Sequence, residues 1–412
     1  VLGFTRYLPR YGWSCTVVCA GEDDYWVRDD SLLARVPGET RVVRVSGGSG
    51  LSALLALGKG RGGRRSGSTF AGLRRLSDWW LLPDSYAGWA RRAESAASRL
   101  LATERFDAML SSSPPDSVHL AARTLHRRHR LPWVADFRDP WIPLAFREPP
   151  TPWHRARQAA MERDVLEGAD LVLAASRTHA DHVDRYSGAR PRRVEHVPNG
   201  FEPAADSGGP APAAATPFAR LPEDAFVLAF TGTLSLMPDT EVFLDAVHDV
   251  LAARPDARRR LRVKLAGPYE EGYQDRAVAL GLTGIVEFTG PIEHGASRAL
   301  QQRADALLLW KPRHTPTMVP GKLYEYLDAG RPILAVLDAD DEAAALVVRA
   351  GGEVVRPDDR VALTGAIGRR YDAWRATGRV PTTRPTWLED HTRERLAGRL
   401  ARLLDDVSGA RA

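Results

Sequence analysis

Short apolar runs alternate along most of the chain with stretches whose apolar residues recur at helical spacing. The runs "CTVVCA", "FDAMLSSS", "PWVADF", "ADLVLAAS" and "RVEHVPN" predict strands in the first half, and "FVLAFTG", "LRVKLAG", "IVEFTG", "ADALLLW" and "RPILAVL" predict strands in the second. Turn residues and then a helical stretch follow each of the later runs, the pattern of parallel sheets with helices on both faces. The segment Ala204 to Pro217, "AADSGGPAPAAATP", has no core-forming periodicity and has the composition of a linker. The expected organisation is therefore α/β with two doubly wound domains. The first spans 1–203, the linker 204–217 and the second domain 218–390. The remainder, 391–412, contains "HTRERLAGRLARLLDDV", an amphipathic helix with the option of packing back on the first domain.

Two stretches break this rhythm. The start, "VLGFTRYLPRYGWSCTVVCAG", reads as a helix with Gly12 near its end and then a strand. A doubly wound domain normally begins with a strand, so an initial strand and loop, on the order of 15 to 25 residues, is expected upstream of Val1. Between Leu51 and Leu101, "GKGRGGRRSGS" precedes "LRRLSDWWLLPDSYAGWARRAESAASRLL". Residues 59–95 fit peripheral contact with an anionic membrane surface. They also fit a loop followed by a solvated helix packed by its aromatics.

Composition narrows the class further. A chain of 412 residues exceeds the size at which one core stops growing, and 44% hydrophobic residues is an ordinary globular fraction. The formal charge of +5 is small, but its clustered arginines favour acidic partners. Cys15 and Cys19 fall on one face of a strand with no metal-ligand companion, as small buried core residues would. No stretch approaches the roughly 20 apolar residues of a membrane span. The expected location is cytoplasmic, with the inner face of the membrane as a peripheral option. Nucleic acid is not an expected partner, because "KGRGGRR" lacks interleaved aromatics.

The chemistry concentrates in "ALLLWKPRHTPTMVPGKLYEYLDAGRPILAVL". A strand ending near Trp310 leads through a polar loop to Pro320, which suits the first helical position. The helix should run to about Ala329, with Gly330 as its left-handed stop. Lys322, Glu325 and Tyr326 stand at i, i+3 and i+4 and share one face. A helix start favours an anion such as a diphosphate, and a lysine there adds a point charge. One turn on, Glu325 can accept hydrogen bonds from vicinal hydroxyls, so the pattern fits a nucleotide. An ordinary exposed Lys-Glu pair fits the spacing equally well.

At this point the chain resembles the retaining glycosyltransferases of family 4. "VPGKLYEYLDAGRPILAV" looks like that family's donor-binding helix, and "VEHVPNGFEP" is similar to the segment closing its first domain. "LAFTGTLS" is similar to the first strand and loop of the donor domain, "IVEFTGPIEH" to the turn beside the base, and "WVADFRDPW" to a marker of one bacterial branch. The resemblance implies two Rossmann-like domains facing across a cleft, the GT-B fold. It also implies a nucleotide-sugar donor bound by Gly232, Thr233, Arg313, Thr317, Lys322, Glu325 and Pro291. Two departures stand out. The family has two glutamates separated by seven residues; Glu325 matches the second, and Thr317 occupies the first. Many members also carry an Arg and a Lys where "TGTLS" offers Thr233 and no base. Lys322 is then the natural replacement for neutralising the leaving diphosphate, with Arg313 as a second positive charge.

The resemblance places Asp136, Arg138 and Asp139 of "DFRDPW" toward the sugar or the acceptor. Arg138 or Asp139 takes the position of a histidine common in the family, and a structural Asp-Arg brace is the competing reading. Ser112, Ser113 and His119 of "SSSPPDSVH" are acceptor-side candidates, with helix capping as the alternative for the serines. The acidic cluster "DADD", Asp338 to Asp341, is expected to cap the next helix, so neither a metal nor a cofactor is expected. The acceptor is expected to be a saccharide, a lipid-linked saccharide or a small molecule. The competing functions are a non-catalytic partner subunit and a sugar-nucleotide 2-epimerase.

Overall fold

The computed structural model describes residues 1–24, 30–47, 79–142, 149–185, 188–203, 224–234, 237, 239–378 and 382–409. The expected linker 204–217 and the basic part of the membrane-contact segment, residues 59–78, lie outside the described residues. The chain divides into two compact units, Val1–Pro198 with Arg393–Ala412, and Asn199–Thr392. The division falls ahead of the expected linker, and the final helix joins the first unit.

In the first unit, α1 (Leu2–Tyr7) and a 3-10 turn (Leu8–Tyr11) end at Gly12, whose φ of 86° makes the left-handed stop. Strands β1 (Thr16–Ala20) and β2 (Arg41–Val45) pair in parallel. Cys15 and Cys19 are only half-buried, which corrects the expectation of buried core cysteines. Helix α2 (Ala87–Thr103) inserts Trp89, whose Nε1 donates to the Val45 carbonyl at 2.8 Å.

A four-stranded parallel sheet follows in the order β3 (Met109–Ser113), β4 (Trp133–Phe137), β5 (Leu171–Ala174) and β6 (Val194–His196). Both faces are covered, so β4 and β5 are buried throughout instead of alternating. Trp133, Ala135 and Phe137 pack with Val165 and Leu166 of α4 (Pro152–Gly168) and Ala122 of α3 (Ser117–His129). On the other face Val134, Leu171 and Leu173 meet Phe4 and Tyr7 of α1 and a leucine stripe from the last helix, Arg393–Ser408. A side chain at Gly398 would collide with the ring of Tyr11, so the small residue lets the first and last segments close on each other.

The second unit is a six-stranded parallel sheet in the order β12-β11-β10-β7-β8-β9, the reversal of a doubly wound fold. The strands are β7 (Phe226–Thr231), β8 (Leu261–Ala266), β9 (Val286–Gly290), β10 (Ala306–Trp310), β11 (Ile333–Val336) and β12 (Glu353–Val355). Along β7 the pleat sends Phe226, Leu228 and Phe230 into one core and Val227 and Ala229 into the other. Both units are α/β with parallel sheets. No helix among the described residues is long and apolar enough to cross a membrane.

Candidate nucleotide site and strand-end loops

The carboxyl ends of β7, β8 and β10 carry the most closely knit polar group in the second unit. Here begins the donor helix, Gly321–Ala329. Pro320, expected at the first helical position, is instead the cap residue in extended conformation, so the helix begins one place later at Gly321, and Gly330 ends it at φ 66°. The preceding loop is fastened from within by Lys311, whose buried ammonium donates to the Thr315 and Met318 carbonyls and pairs with Asp341. Asn199 Nδ2 donates to the Val319 carbonyl at 3.1 Å and closes the loop from outside.

Lys322 turns back over the end of β7. Its Nζ lies 4.0 Å from the centroid of the Phe230 ring, and a Cβ built on Gly232 would stand 2.6 Å from that nitrogen. Gly232, at φ 146°, therefore leaves room for the ammonium. The residue is half-buried, and the surrounding protein atoms lower its pKa to about 7, against a smaller opposing pull from Glu325. An amine tuned this way gains a charge when an anion arrives beside it.

Glu325 is held one turn further on. Gln301, fully buried on the helix His294–Arg303, donates to its carboxylate at 3.0 Å and to Thr231 Oγ1 at 3.1 Å. Arg298, also buried, donates to Gln301 Oε1 at 2.8 Å and the Glu325 carbonyl at 2.9 Å, and pairs with Asp328. Tyr326 accepts from the Thr231 backbone N–H at 2.8 Å, and burial pushes its hydroxyl up to about 12. The helix is thereby bonded to the strand end that carries Gly232 and Thr233.

The other donor-side candidates are placed as follows. Thr317 is half-buried in the clamped loop, and Pro291 is exposed just beyond β9, where the Gly267 N–H donates to the Gly290 carbonyl at 2.9 Å. Arg313 is paired with acids: Asp239 holds its guanidinium through two bonds and Asp358 lies 3.6 Å away. That pairing also explains why Asp239, at the start of the helix Thr240–Ala253, makes no side-chain cap. Asp341 does cap its helix, accepting from the Ala343 N–H at 2.8 Å. Among the described residues no group of three or more His, Cys, Asp or Glu could hold a metal ion.

In the first unit, Asp136 is fully buried and accepts from Ser112 Oγ at 2.8 Å and Arg138 Nη1 at 3.1 Å. Arg138 Nη2 reaches the Val197 carbonyl at 2.8 Å, so the pair braces the ends of β3, β4 and β6. Asp139 is half-buried, and burial raises its pKa against the pull of Arg138. Ser112 and Ser113 cap no helix; Asp84 binds the first turn of α3 instead, through the Ser117 N–H and hydroxyl at 2.9 Å each. His119 is corrected as an acceptor residue. It is fully buried, stacked on Phe137 at 4.3 Å, bonded through Nδ1 to Ser111 Oγ at 2.7 Å, and desolvated to a pKa of about 3.

Sequence reading missed Gln301, Arg298, Phe230, Asn199 and Lys311 as site-forming residues. A Gln and an Arg one turn apart on a helix look like solvated polar positions. The signal that could have found Lys311 is its place directly after a fully apolar strand.

Comparison with known proteins bears on the two domains and on the fold. Residues 1–200 match the glycosyl transferase 4-like domain, and residues 225–372 match glycosyl transferases group 1. D-inositol 3-phosphate glycosyltransferase of Streptomyces coelicolor is 28% identical over 193 residues, 42% of each chain. That of Nocardioides sp. is 35% identical over 147 residues, 32% of this chain and 31% of the relative. The chain spans less than half the length of these curated relatives. Among solved structures, sucrose-phosphate synthase from Thermosynechococcus elongatus superposes with a TM-score of 0.65 at 14% identity, over 99% of this chain and 92% of that one. Anabaena HepE in complex with UDP and glucose gives 0.62 at 15%, over 98% and 94%. Residues 1–200 and 225–372 are thus each similar to a glycosyltransferase domain, and the chain has a GT-B fold.

Proposed function

We propose that this protein is a retaining glycosyltransferase that moves a sugar from a nucleoside-diphosphate donor to an acceptor hydroxyl without a metal. The carrying observation is Lys322, held over Phe230 at Gly232 with the braced carboxylate of Glu325 one turn away. A diphosphate at the helix start meets free N–H groups and the ammonium, and the ribose hydroxyls meet Glu325. In the reaction, the bond from the anomeric carbon to the diphosphate oxygen breaks. The acceptor oxygen bonds that carbon on the same face, and the acceptor proton passes to the leaving phosphate. Stabilising that developing charge is the protein's main contribution.

The acceptor is read as a saccharide, lipid-linked saccharide or small molecule, with polysaccharide assembly at the cytoplasmic membrane face the favoured setting. The "DFRDPW" loop is read as the marker of a bacterial branch. Thr317, in place of a glutamate, favours a second reading, a non-catalytic partner subunit. Calorimetric titration with UDP, GDP and dTDP in the presence of a chelator, on wild type and Lys322→Ala, tests the site. Binding that largely disappears in the variant is expected. Turnover of the matching nucleotide sugar then separates enzyme from partner subunit, and a folded wild type that binds none of the three refutes the nucleotide reading.

A further inference from the structure

Trp79 and Trp153 flank one histidine at the surface of the first unit, and Trp80 follows Trp79 directly in the chain. Trp79, Trp80 and Trp153 are 52%, 83% and 63% exposed, although side chains of this size are usually well covered. Buried His154, in the first turn of α4, fixes two of them. Its ring meets Trp79 edge-on at 5.6 Å and Trp153 at 4.9 Å. Its Nε2 lies 3.3 Å from the Trp79 carbonyl, and its Nδ1 is 2.7 Å from Thr151 Oγ1, which also caps the helix by accepting from the His154 N–H. The aromatic surface is therefore a built platform.

Positive charge surrounds it. Arg157 stands one turn on from Trp153 on the same helix face, and Arg155 lies between them in sequence. Both arginines are exposed, and neither has an ion-pair partner among the described residues. Tryptophan suits the boundary between headgroups and acyl chains, and arginine suits lipid phosphates.

We propose that this platform docks the first unit on an anionic lipid bilayer, with Trp80 and Trp153 entering the headgroup layer and Arg155 and Arg157 on lipid phosphates. The purpose, presenting the unit to an acceptor carried on lipid, rests on the transferase reading; the surface does not.

The test is co-sedimentation of the full chain with vesicles of phosphatidylcholine alone or mixed with phosphatidylglycerol, with tryptophan emission read in parallel. Wild type is expected to pellet with the mixed vesicles only, with a blue shift that salt reverses. W80S/W153S and R155E/R157E should each lose about tenfold or more in partitioning. All four side chains are exposed, so the variants should keep their circular dichroism and nucleotide binding. Wild type left in the supernatant, equal pelleting with neutral vesicles, or variants that pellet like wild type overturns the proposal. Exclusive association with a protein partner or a free saccharide does the same. Nucleotide binding on the same samples reports separately on the transferase reading.

Discussion

The side-chain amide of Gln301 donates to the Glu325 carboxylate at 3.0 Å from a fully buried position. Gln301 also bonds Thr231, at the strand end beside Gly232, so one residue sets both the carboxylate and the loop. Replacing it by leucine should weaken UDP binding about tenfold, the loss of one charge-assisted bond. Binding of the 2′,3′-dideoxy nucleotide should barely change. Equal losses for both nucleotides would show that Gln301 only supports the fold, while no effect of Glu325→Ala on UDP would remove the ribose assignment itself.

Lys322 gives nucleotide affinity a pH dependence of known sign. Burial lowers its pKa to about 7, and a bound diphosphate restores the charged form. Affinity for UDP should therefore be level just below pH 7 and fall above it, by up to about tenfold per pH unit, with a proton taken up on binding. The window lies above the second ionisation of a phosphate, about 6. Titrations in buffers of different ionisation enthalpy measure the uptake directly. Lys322→Met should bind weakly with a flat profile, and a flat wild-type profile would contradict the assignment.

Lys311 and Asp341 form a buried ion pair that also holds two carbonyls of the loop before the donor helix. Lys311→Met leaves the carboxylate buried and unpaired, so chemical denaturation should show a loss of about 3 kcal/mol or more. Changing Lys311→Met and Asp341→Asn together should recover part of that loss. If the double variant is no more stable than the single one, the charge pairing is not what the loop depends on.

The first unit should be most stable near pH 6.5. His119 and His179 are both desolvated to pKa values of about 3, so the unfolded chain binds more protons between about 3 and 6.5 and stability rises with pH there. Glu162, buried and accepting from the Ile142 N–H at 3.3 Å, is raised to about 8. The folded state then binds the extra proton between about 4.5 and 8, and stability falls as pH rises. Below 6.5 the two histidine contributions exceed the Glu162 contribution; above it the histidine contributions are complete while the Glu162 fall continues. Glu162→Gln should abolish the decline above 6.5 in thermal melts, and a decline that persists would assign it to another group.

The sheets were largely legible because apolar runs covered on both faces have few alternatives to a parallel strand. Strand β2 was not read: in "RVVRV" both arginines and Val42 are exposed and only Val43 and Val45 are half-buried, and among the described residues it pairs with β1 alone. Lys322 and Glu325 could be singled out because their spacing and the Pro-Gly start are local. The partners that give them chemistry are remote, as Gln301 is 24 residues from Glu325. The same holds for Arg313, whose acidic partner Asp239 is 74 residues away. At His119 a strand-end serine run suggested a surface, while the ring lies under Phe137.

Gly267 touches this remote wiring from the backbone side: a Cβ there would stand 1.8 Å from the carbonyl oxygen of Gly232. The Gly232 N–H already donates to the Ala266 carbonyl at 2.8 Å. The turns after β7 and β8 therefore have no independent freedom to drift in sequence or length. A donor-specificity graft between relatives has to move both turns together with Lys322, as a single exchangeable cassette.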